Sequence, residues 1–219
     1  MSALTFVATF LIVIPLPWTG GYFNLGDVAV ILSGLLFGPT VGGIAGAIGP
    51  AMADFVAGYS VFVPATLVAK GLEGVVAGIL VRRLSDASQS RAKQYSVVTI
   101  GLYGLTGLLF VLYMSFIEQT PQAWMVSVTW AAVFLAFSAL IFSSVLRGQW
   151  SQAKAGTLAG AVAATLMVSV YFLYEQYLMG VPAVFEVIPN LLQGMLGSSL
   201  AGIVYGHRGI RERTESFSR

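Results

Sequence analysis

Charged residues are scarce in this sequence. Lysine, arginine, aspartate and glutamate together make up 9% of its 219 residues, whereas a soluble domain carries about 25%. Hydrophobic residues make up 57%, so there are too few polar side chains to cover a surface in water. The composition therefore predicts an all-α integral membrane protein, a polytopic helical bundle whose main solvent is the lipid bilayer.

Cysteine is absent, and histidine occurs once. The lack of cysteine excludes disulfides and thiolate metal sites. His207 lies in a basic C-terminal stretch, where contact with water or lipid headgroups is the expected role. The patterns HExxH, GxSxG and Walker A are also missing. We therefore expect no enzyme, no cofactor, no metal site and no nucleic-acid partner, and any energy coupling must come from an ion gradient or from partner subunits.

Apolar segments account for most of the chain. Crossing about 30 Å of hydrocarbon at about 1.5 Å per residue takes about 20 residues of helix. Because the first segment is short and lacks the basic flank of a signal peptide, we expect the true chain to begin a few residues upstream or this segment to be truncated. Eight candidate spans can be drawn, of which the first two are short: 3–16, 27–37, 40–58, 62–81, 96–116, 123–146, 155–178 and 183–205.

The placement of positive charge predicts an orientation for these spans. With eight spans and both termini cytoplasmic, every Lys and Arg except Lys70 falls on the cytoplasmic side. This is the positive-inside asymmetry of cell-membrane proteins. Small residues at four-residue intervals also predict close helix contacts inside the bundle. These ridges are Gly38, Gly42, Gly46 and Pro50; Gly156 and Gly160; and Ser198, Gly202 and Gly206.

Polar side chains recur inside the apolar segments, where an ionisable group is costly. Thr66, Lys70 and Glu73 share one face of the fourth segment, and Glu186, Asn190, Gln193 and Gly197 repeat that spacing in the last. Asp54, Tyr171 and Glu175 lie near the outer ends of their own segments. The pattern predicts a polar pocket in the outer half of the membrane, beneath the Pro- and Gly-rich loop 15–27.

Each charged group has a purely structural alternative. Lys70 could pair with Asp54 or Glu73 and lock two helices together. Glu175 and Glu186 could lie at the outer interface and contact only water.

The amides and aromatic residues have alternatives as well. Asn190 and Gln193 could hydrogen-bond between helices. Trp18 and Tyr22 are typical of an interfacial aromatic belt, and Tyr59 is a similar case, although it lies beside the predicted pocket.

Two blocks of the sequence resemble the S components of energy-coupling factor (ECF) transporters, most closely those of the riboflavin type. The first block is GGYFNLGDVAVILSGLLFGPTVGGIAGAIGPAMADFVAGY followed by VPATLVAKGLEGVVAGIL, and the second is YFLYEQYLMGVPAVFEVIPNLLQGMLGSSLAG. With the first span, the blocks cover a little over half of the chain. The order GD, GP, AD, GY, P-x-T, KG-x-EG, YE and N-x-x-Q is specific as a set.

The resemblance implies a subunit that captures a vitamin or vitamin precursor from outside and topples in the membrane to release it. Its implied partners are a small vitamin-like molecule, a transmembrane coupling subunit and two cytoplasmic ATPase subunits. Eight positions match the family and are predicted to bind the substrate: Asp27, Asp54, Tyr59, Lys70, Glu73, Glu175, Asn190 and Gln193. Thr66 and Tyr171, which lie beside them in the predicted pocket, complete the set of predicted substrate-binding residues.

One departure from the family concerns length. Its members have six spans, so we expect a single transmembrane domain over 1–219, with a core of 1–81 and 155–206, an inserted helical hairpin at 96–146 and a cytoplasmic tail at 207–219. The added helices could cover a surface that the coupling subunit needs.

Three other functions remain open at this stage. The first is a stand-alone ion-coupled secondary transporter that uses Asp54, Lys70, Glu73 and Glu175. The second is a structural or regulatory membrane subunit, and the third is an intramembrane enzyme, which would lack a nucleophile–base pair. A pocket with carboxylates, a lysine and two amides suits a small polar heterocycle such as a pyrimidine, pyridoxine or a flavin.

Overall fold

The computed structural model describes residues 1–17, 20–117, 149–180 and 183–217, with a few isolated positions between 128 and 139. The described chain is mostly helical and carries one short antiparallel hairpin, which lies between the first two helices. The elements are α1 (Ser2–Leu11), β1 (Ile14–Leu16), β2 (Gly21–Phe23), α2 (Gly26–Phe37), α3 (Pro39–Ala57), α4 (Val63–Ser85), α5 (Gln89–Ile117), α6 (Gln152–Met179), α7 (Val184–Gly206) and α8 (Arg208–Phe217).

Helices α3, α4, α6 and α7 are long and apolar enough to cross a membrane. They coincide with the predicted spans 40–58, 62–81, 155–178 and 183–205. Helices α1 and α2 are shorter apolar helices. The predicted span 96–116 falls inside α5, and most of 123–146 lies outside the described residues, so the count of eight spans stays a prediction.

The predicted helix over 3–16 is wrong at its C-terminal end. Helix α1 ends at Leu11, and Ile14–Leu16 pairs with Gly21–Phe23 instead. Pro15 and Pro17 explain the break, because proline lacks the N–H that a helix interior requires. Gly20 then supplies a positive φ of 74° in the turn between the strands, a conformation that favours glycine.

Close helix contacts form where the small-residue ridges were predicted. The two ridges of α6 and α7 pack against each other, with Gly156 facing Gly202 and Gly160 facing Ser198. On the other side of the bundle, Gly42 of α3 and Gly74 of α4 are in backbone contact, and a Cβ on either glycine would collide with the other. The ridges therefore serve internal packing.

The outward faces of the helices are apolar. On α3, Ile44, Ile48, Met52 and Phe55 are all at least 48% exposed, while the inward face carries small residues and Asp54. Contiguous apolar surface of this kind is unfavourable in water and suits contact with lipid tails. The exposed faces therefore agree with a membrane protein.

The ends of the segment 89–150 lie close together. The Gln89 side chain accepts a hydrogen bond from the Trp150 backbone N–H at 2.6 Å, and the Trp150 indole donates to the Leu84 carbonyl at 2.9 Å. The end of α4 and the residues that precede α6 therefore lie next to each other.

Candidate functional site

A small cavity lies at one end of the bundle, beneath the β-hairpin. Asp54 is near the end of α3, Thr66 near the start of α4, Glu175 near the end of α6 and Asn190 near the start of α7, so the helix directions bring all four to the same end. The cavity offers about 40 Å³ to the centre of a water molecule. Its lining residues are Thr9, Gly21, Tyr22, Asn24, Pro50, Asp54, Phe62, Thr66, Lys70, Tyr171, Glu175, Glu186, Asn190 and Gln193.

Seven of the ten predicted site residues line this cavity, and three do not. Asp27 and Glu73 lie behind Lys70 rather than on the cavity wall. The Tyr59 ring packs against the Tyr22 ring at an interplanar angle of 41°, with the two centroids 4.6 Å apart, so Tyr59 supports a lining residue without joining the lining.

Asp54 is the centre of a chain of hydroxyl groups. Tyr22 and Thr66 each donate a hydrogen bond to one oxygen of its carboxylate. Tyr171 donates in turn to the Thr66 hydroxyl at 2.8 Å. Four elements, β2, α3, α4 and α6, are thereby joined through one carboxylate. Charge-assisted hydrogen bonds of this kind are stronger than those between neutral groups.

Tyr22 remains a proton donor in this arrangement. Its phenol belongs to the hairpin, outside the membrane-spanning helices. Burial, and next the charge and hydrogen bond of Asp54, raise the pKa of this phenol above its ordinary value. The raised pKa keeps the phenol neutral at physiological pH, which is the state that donates to the carboxylate. The predicted role of Tyr22 as a belt residue is therefore wrong.

Lys70 is paired inside the bundle. Its ammonium contacts the Asp27 carboxylate of α2 and lies 3.8 Å from a Glu73 oxygen. It also lies 5.7 Å from the centroid of the Tyr171 ring, within the range of a cation–π contact. Of the two partners that the structural alternative named, Glu73 is close, but Asp54 is replaced by Asp27 because α2 packs against α4 at this level.

One of the two amides of α7, Gln193, holds the end of the hairpin. The Gln193 side-chain oxygen accepts a hydrogen bond from the Asn24 backbone N–H, and its nitrogen is 3.5 Å from the Asn190 oxygen. Asn24 in turn accepts from the Gly26 N–H at 2.7 Å, at the start of α2. The described bonds of Gln193 thus run to the hairpin and along its own helix.

Glu175 and Glu186 are buried, with 2% and 3% of their surfaces exposed. The alternative that they lie at the outer interface in contact with water is therefore wrong. One oxygen of Glu175, Oε2, has no hydrogen-bond partner. The Glu186 carboxylate lies directly against Gly21, so a side chain at that position would have to displace it.

Several lining residues were not in the predicted set. Tyr22, Asn24 and Gly21 come from the hairpin, and Phe62 comes from the turn before α4. The prolines and glycines around 15–21 are a hairpin signal that could have indicated the hairpin, although not what it covers. Within the described ranges, no group of three or more His, Asp or Glu side chains could hold a metal ion.

Comparison with known proteins gives one family and one relative. The family model described as "ECF-type riboflavin transporter, S component" matches residues 1–122. A protein of Pyrococcus woesei, described as "Uncharacterized protein in gap 3'region", is 51% identical over 72 residues, which are 33% of this chain and 48% of that protein. The chain thus spans about half the length of this curated relative. No solved structure matches the chain.

Proposed function

Because the chain belongs to the family of ECF-type riboflavin transporter S components, we propose that it captures a small water-soluble vitamin or vitamin precursor from outside the cell. In this proposal it passes the compound to a transmembrane coupling subunit that two cytoplasmic ATPase subunits drive. The sequence carries no ATP-binding pattern of its own, in agreement with such a division of labour.

The observation that carries the proposal is the polar cavity inside an apolar bundle. Carboxylate, amide, hydroxyl and ammonium groups surround a space that lipid-facing helices enclose. Buried polar groups are costly unless they are hydrogen-bonded, and a ligand with several donors and acceptors can meet that requirement. Concave sites with a few convergent polar groups are typical of small-molecule binding.

The predicted topology fits the same function. We propose a six-helix core of α1 to α4, α6 and α7, with 96–146 as an inserted hairpin, both termini in the cytoplasm and 207–219 as a cytoplasmic tail. The contact between Gln89 and Trp150 supports an insertion, since it brings the two ends of the added segment together. An insertion of this form leaves the cavity helices and their contacts in place.

The test of capture is the identity of any compound that copurifies with the chain. The protein is purified alone in mild detergent and denatured, and the supernatant is analysed by mass spectrometry. We expect a vitamin-like compound at a stoichiometry near one. An empty protein that also binds no compound of a vitamin panel would contradict the proposal.

Once the bound compound is identified, substitution of Gln193 tests the cavity, and substitution of Gln94 is the matched control. Gln193→Ala removes a cavity amide that also holds the hairpin. We expect the affinity for the ligand to fall about 5- to 150-fold, which corresponds to about 1–3 kcal/mol for an unmade buried hydrogen bond. Gln94→Ala, on an exposed position of α5, should bind as the unsubstituted protein does. Equal affinities in two well-folded variants would remove Gln193 from the site.

A second candidate function is a stand-alone ion-coupled transporter. The buried group of Asp27, Lys70 and Glu73 favours it, because ionisable residues inside a membrane often mark ion or proton pathways. The two functions differ in reconstituted vesicles. Solute accumulation driven by an ion gradient, without coupling subunits or ATP, would support the second function and contradict the first.

A further inference from the structure

We propose that the captured compound carries a positive charge, on a protonated amine or a cationic heterocycle, and that Glu175 and Glu186 receive it. The inference rests on the proposed capture function and narrows its substrate class. The inferred ligand differs in charge from riboflavin, the neutral compound that the family description names.

The first argument is the charge of the cavity wall. Three carboxylates line it, those of Asp54, Glu175 and Glu186, and each side chain is at most 3% exposed. Among the described residues, one basic side chain, Lys70, lines it with them. At such burial, charges interact strongly with each other because water does not screen them.

The second argument is that Lys70 is already engaged. Its ammonium pairs with Asp27 and lies near Glu73, both behind the cavity wall. With Asp27 and Glu73 added to the three cavity carboxylates, the described part of the chain buries five carboxyl groups around one ammonium. The positive charge of Lys70 is therefore compensated from behind the wall, and the described part of the cavity wall keeps the excess negative charge of its three carboxylates.

The third argument distinguishes the carboxylates from one another. Asp54 accepts hydrogen bonds from Tyr22 and Thr66, one on each oxygen. Glu175 has a buried oxygen, Oε2, with no partner in the structure, although the side chain lines the cavity. A buried acceptor without a donor is a strong cost. A ligand N–H bearing positive charge would supply both the donor and the counter-charge.

The remaining walls suit the same kind of ligand. Tyr22, Phe62 and Tyr171 line the cavity, and aromatic faces attract cations. The space open to the centre of a water molecule is only about 40 Å³, so the group that enters beside Glu175 is small, such as an aminomethyl group or an edge of one heterocycle.

The experiment compares probes that differ in charge. Purified protein is freed of bound compound, and dissociation constants are measured for thiamine and pyridoxamine as cations and for pyridoxine and riboflavin as neutral compounds. Pyridoxamine and pyridoxine form a matched pair, because an aminomethyl group in one replaces a hydroxymethyl group in the other. The compound released from the freshly purified protein is identified in parallel.

The expected result is a released compound that is cationic at pH 7, or at least 10-fold tighter binding of a cation than of its neutral counterpart. A neutral or anionic released compound, or a neutral probe that binds at least as tightly as the cations, would overturn this inference and leave capture standing. A protein that releases nothing and binds none of the four would overturn capture and this inference together.

Glu175→Gln tests whether the charge of this side chain binds the cation, because the substitution keeps the shape of the side chain and removes its charge. We expect affinity for the cationic ligand to fall 10- to 100-fold, with a smaller change for a neutral probe. Glu212→Gln, on a side chain that is 59% exposed in α8, should change neither value. Glu186→Gln tests the second carboxylate in the same way, and unchanged cation affinity in both well-folded cavity variants would refute the role assigned to them.

Discussion

Lys70 illustrates how much a single buried charge depends on its neighbours. An ammonium group inside a membrane protein is tolerated when acidic partners lie within reach, and here Asp27 and Glu73 provide them from two helices. A buried ion pair adds little net stability, because desolvation offsets the attraction, but removing one partner leaves a buried charge uncompensated. Lys70 thus holds α2 and α4 together as well as lining the cavity.

Lys70→Met should destabilise the fold as well as the site. Since Asp27 and Glu73 lose their counter-charge, we expect a loss of about 3–5 kcal/mol in the free energy of unfolding, measured as a lower midpoint of thermal unfolding in detergent. The control is Lys93→Met, at an exposed position of α5, which should change the midpoint little. The double variant Lys70→Met/Asp27→Asn should recover part of the loss, and a double variant no more stable than the single one would contradict this account.

Among the elements, α3 and α4 show what the glycine ridges do. Gly42 and Gly74 allow the two backbones to touch, and the same close approach brings Asp54 of α3 within a hydrogen bond of Thr66 of α4. Helices in lipid associate through such van der Waals contact rather than through a hydrophobic effect. Packing along the whole pair therefore sets the geometry of the cavity at one end.

Gly74→Ala tests this link between packing and site. The added Cβ would collide with the Gly42 backbone, so we expect lower thermal stability and weaker ligand binding from a substitution at a position that does not line the cavity. Overpacking of a tight contact costs about 1–3 kcal/mol. Gly101→Ala in α5 is the matched control, because a Cβ there meets no atom within 4 Å. Equal stability of the two variants would show that the α3–α4 contact can separate at little cost.

The hairpin is the element that departs most from a simple bundle. It contributes Tyr22 and Asn24 to the cavity, and both are bonded to helices, through Asp54 and Gln193. An antiparallel pair of two strands is marginal by itself. The hydrogen bonds to α3 and α7 are therefore what keep the hairpin over the cavity.

At the scale of the whole molecule, orientation in the membrane follows from charge placement. The cavity lies at the end of the bundle opposite the basic residues Arg82 and Arg83, which close α4. The positive-inside rule predicts that those arginines lie in the cytoplasm, and the proposed orientation then turns the cavity toward the exterior. Capture from outside requires this orientation.

The natural absence of cysteine makes the orientation directly measurable. Ser60 lies in the exposed turn between α3 and α4, and Ser88 lies exposed between α4 and α5. In intact cells, an impermeant maleimide should label Ser60→Cys at once and Ser88→Cys only after permeabilisation. The reverse pattern would invert the proposed topology, and labelling of both in intact cells would contradict a membrane span at α4.

Much of this molecule could be predicted from the sequence, because the relevant physics is local. Apolar length identified four helices that the structure contains, and four-residue spacing of Gly156 and Gly160 identified a real helix contact. The i, i+4 and i+7 spacing of Thr66, Lys70 and Glu73 placed them on one face, as found. These features depend on helix geometry and on the cost of polar groups in lipid. Both can be read from a single segment without knowledge of its neighbours.

Partner choice was decided only by the tertiary structure. Periodicity put Lys70 on the inner face of α4, yet which carboxylate it meets depends on how far α2 slides along that helix, and the answer is Asp27. The sequence predicted Tyr22 as a belt residue, whereas in the structure the β-hairpin brings its phenol into a hydrogen bond with Asp54. A sequence displays which groups must find partners, whereas the choice among chemically equivalent partners depends on distances between segments remote in the chain.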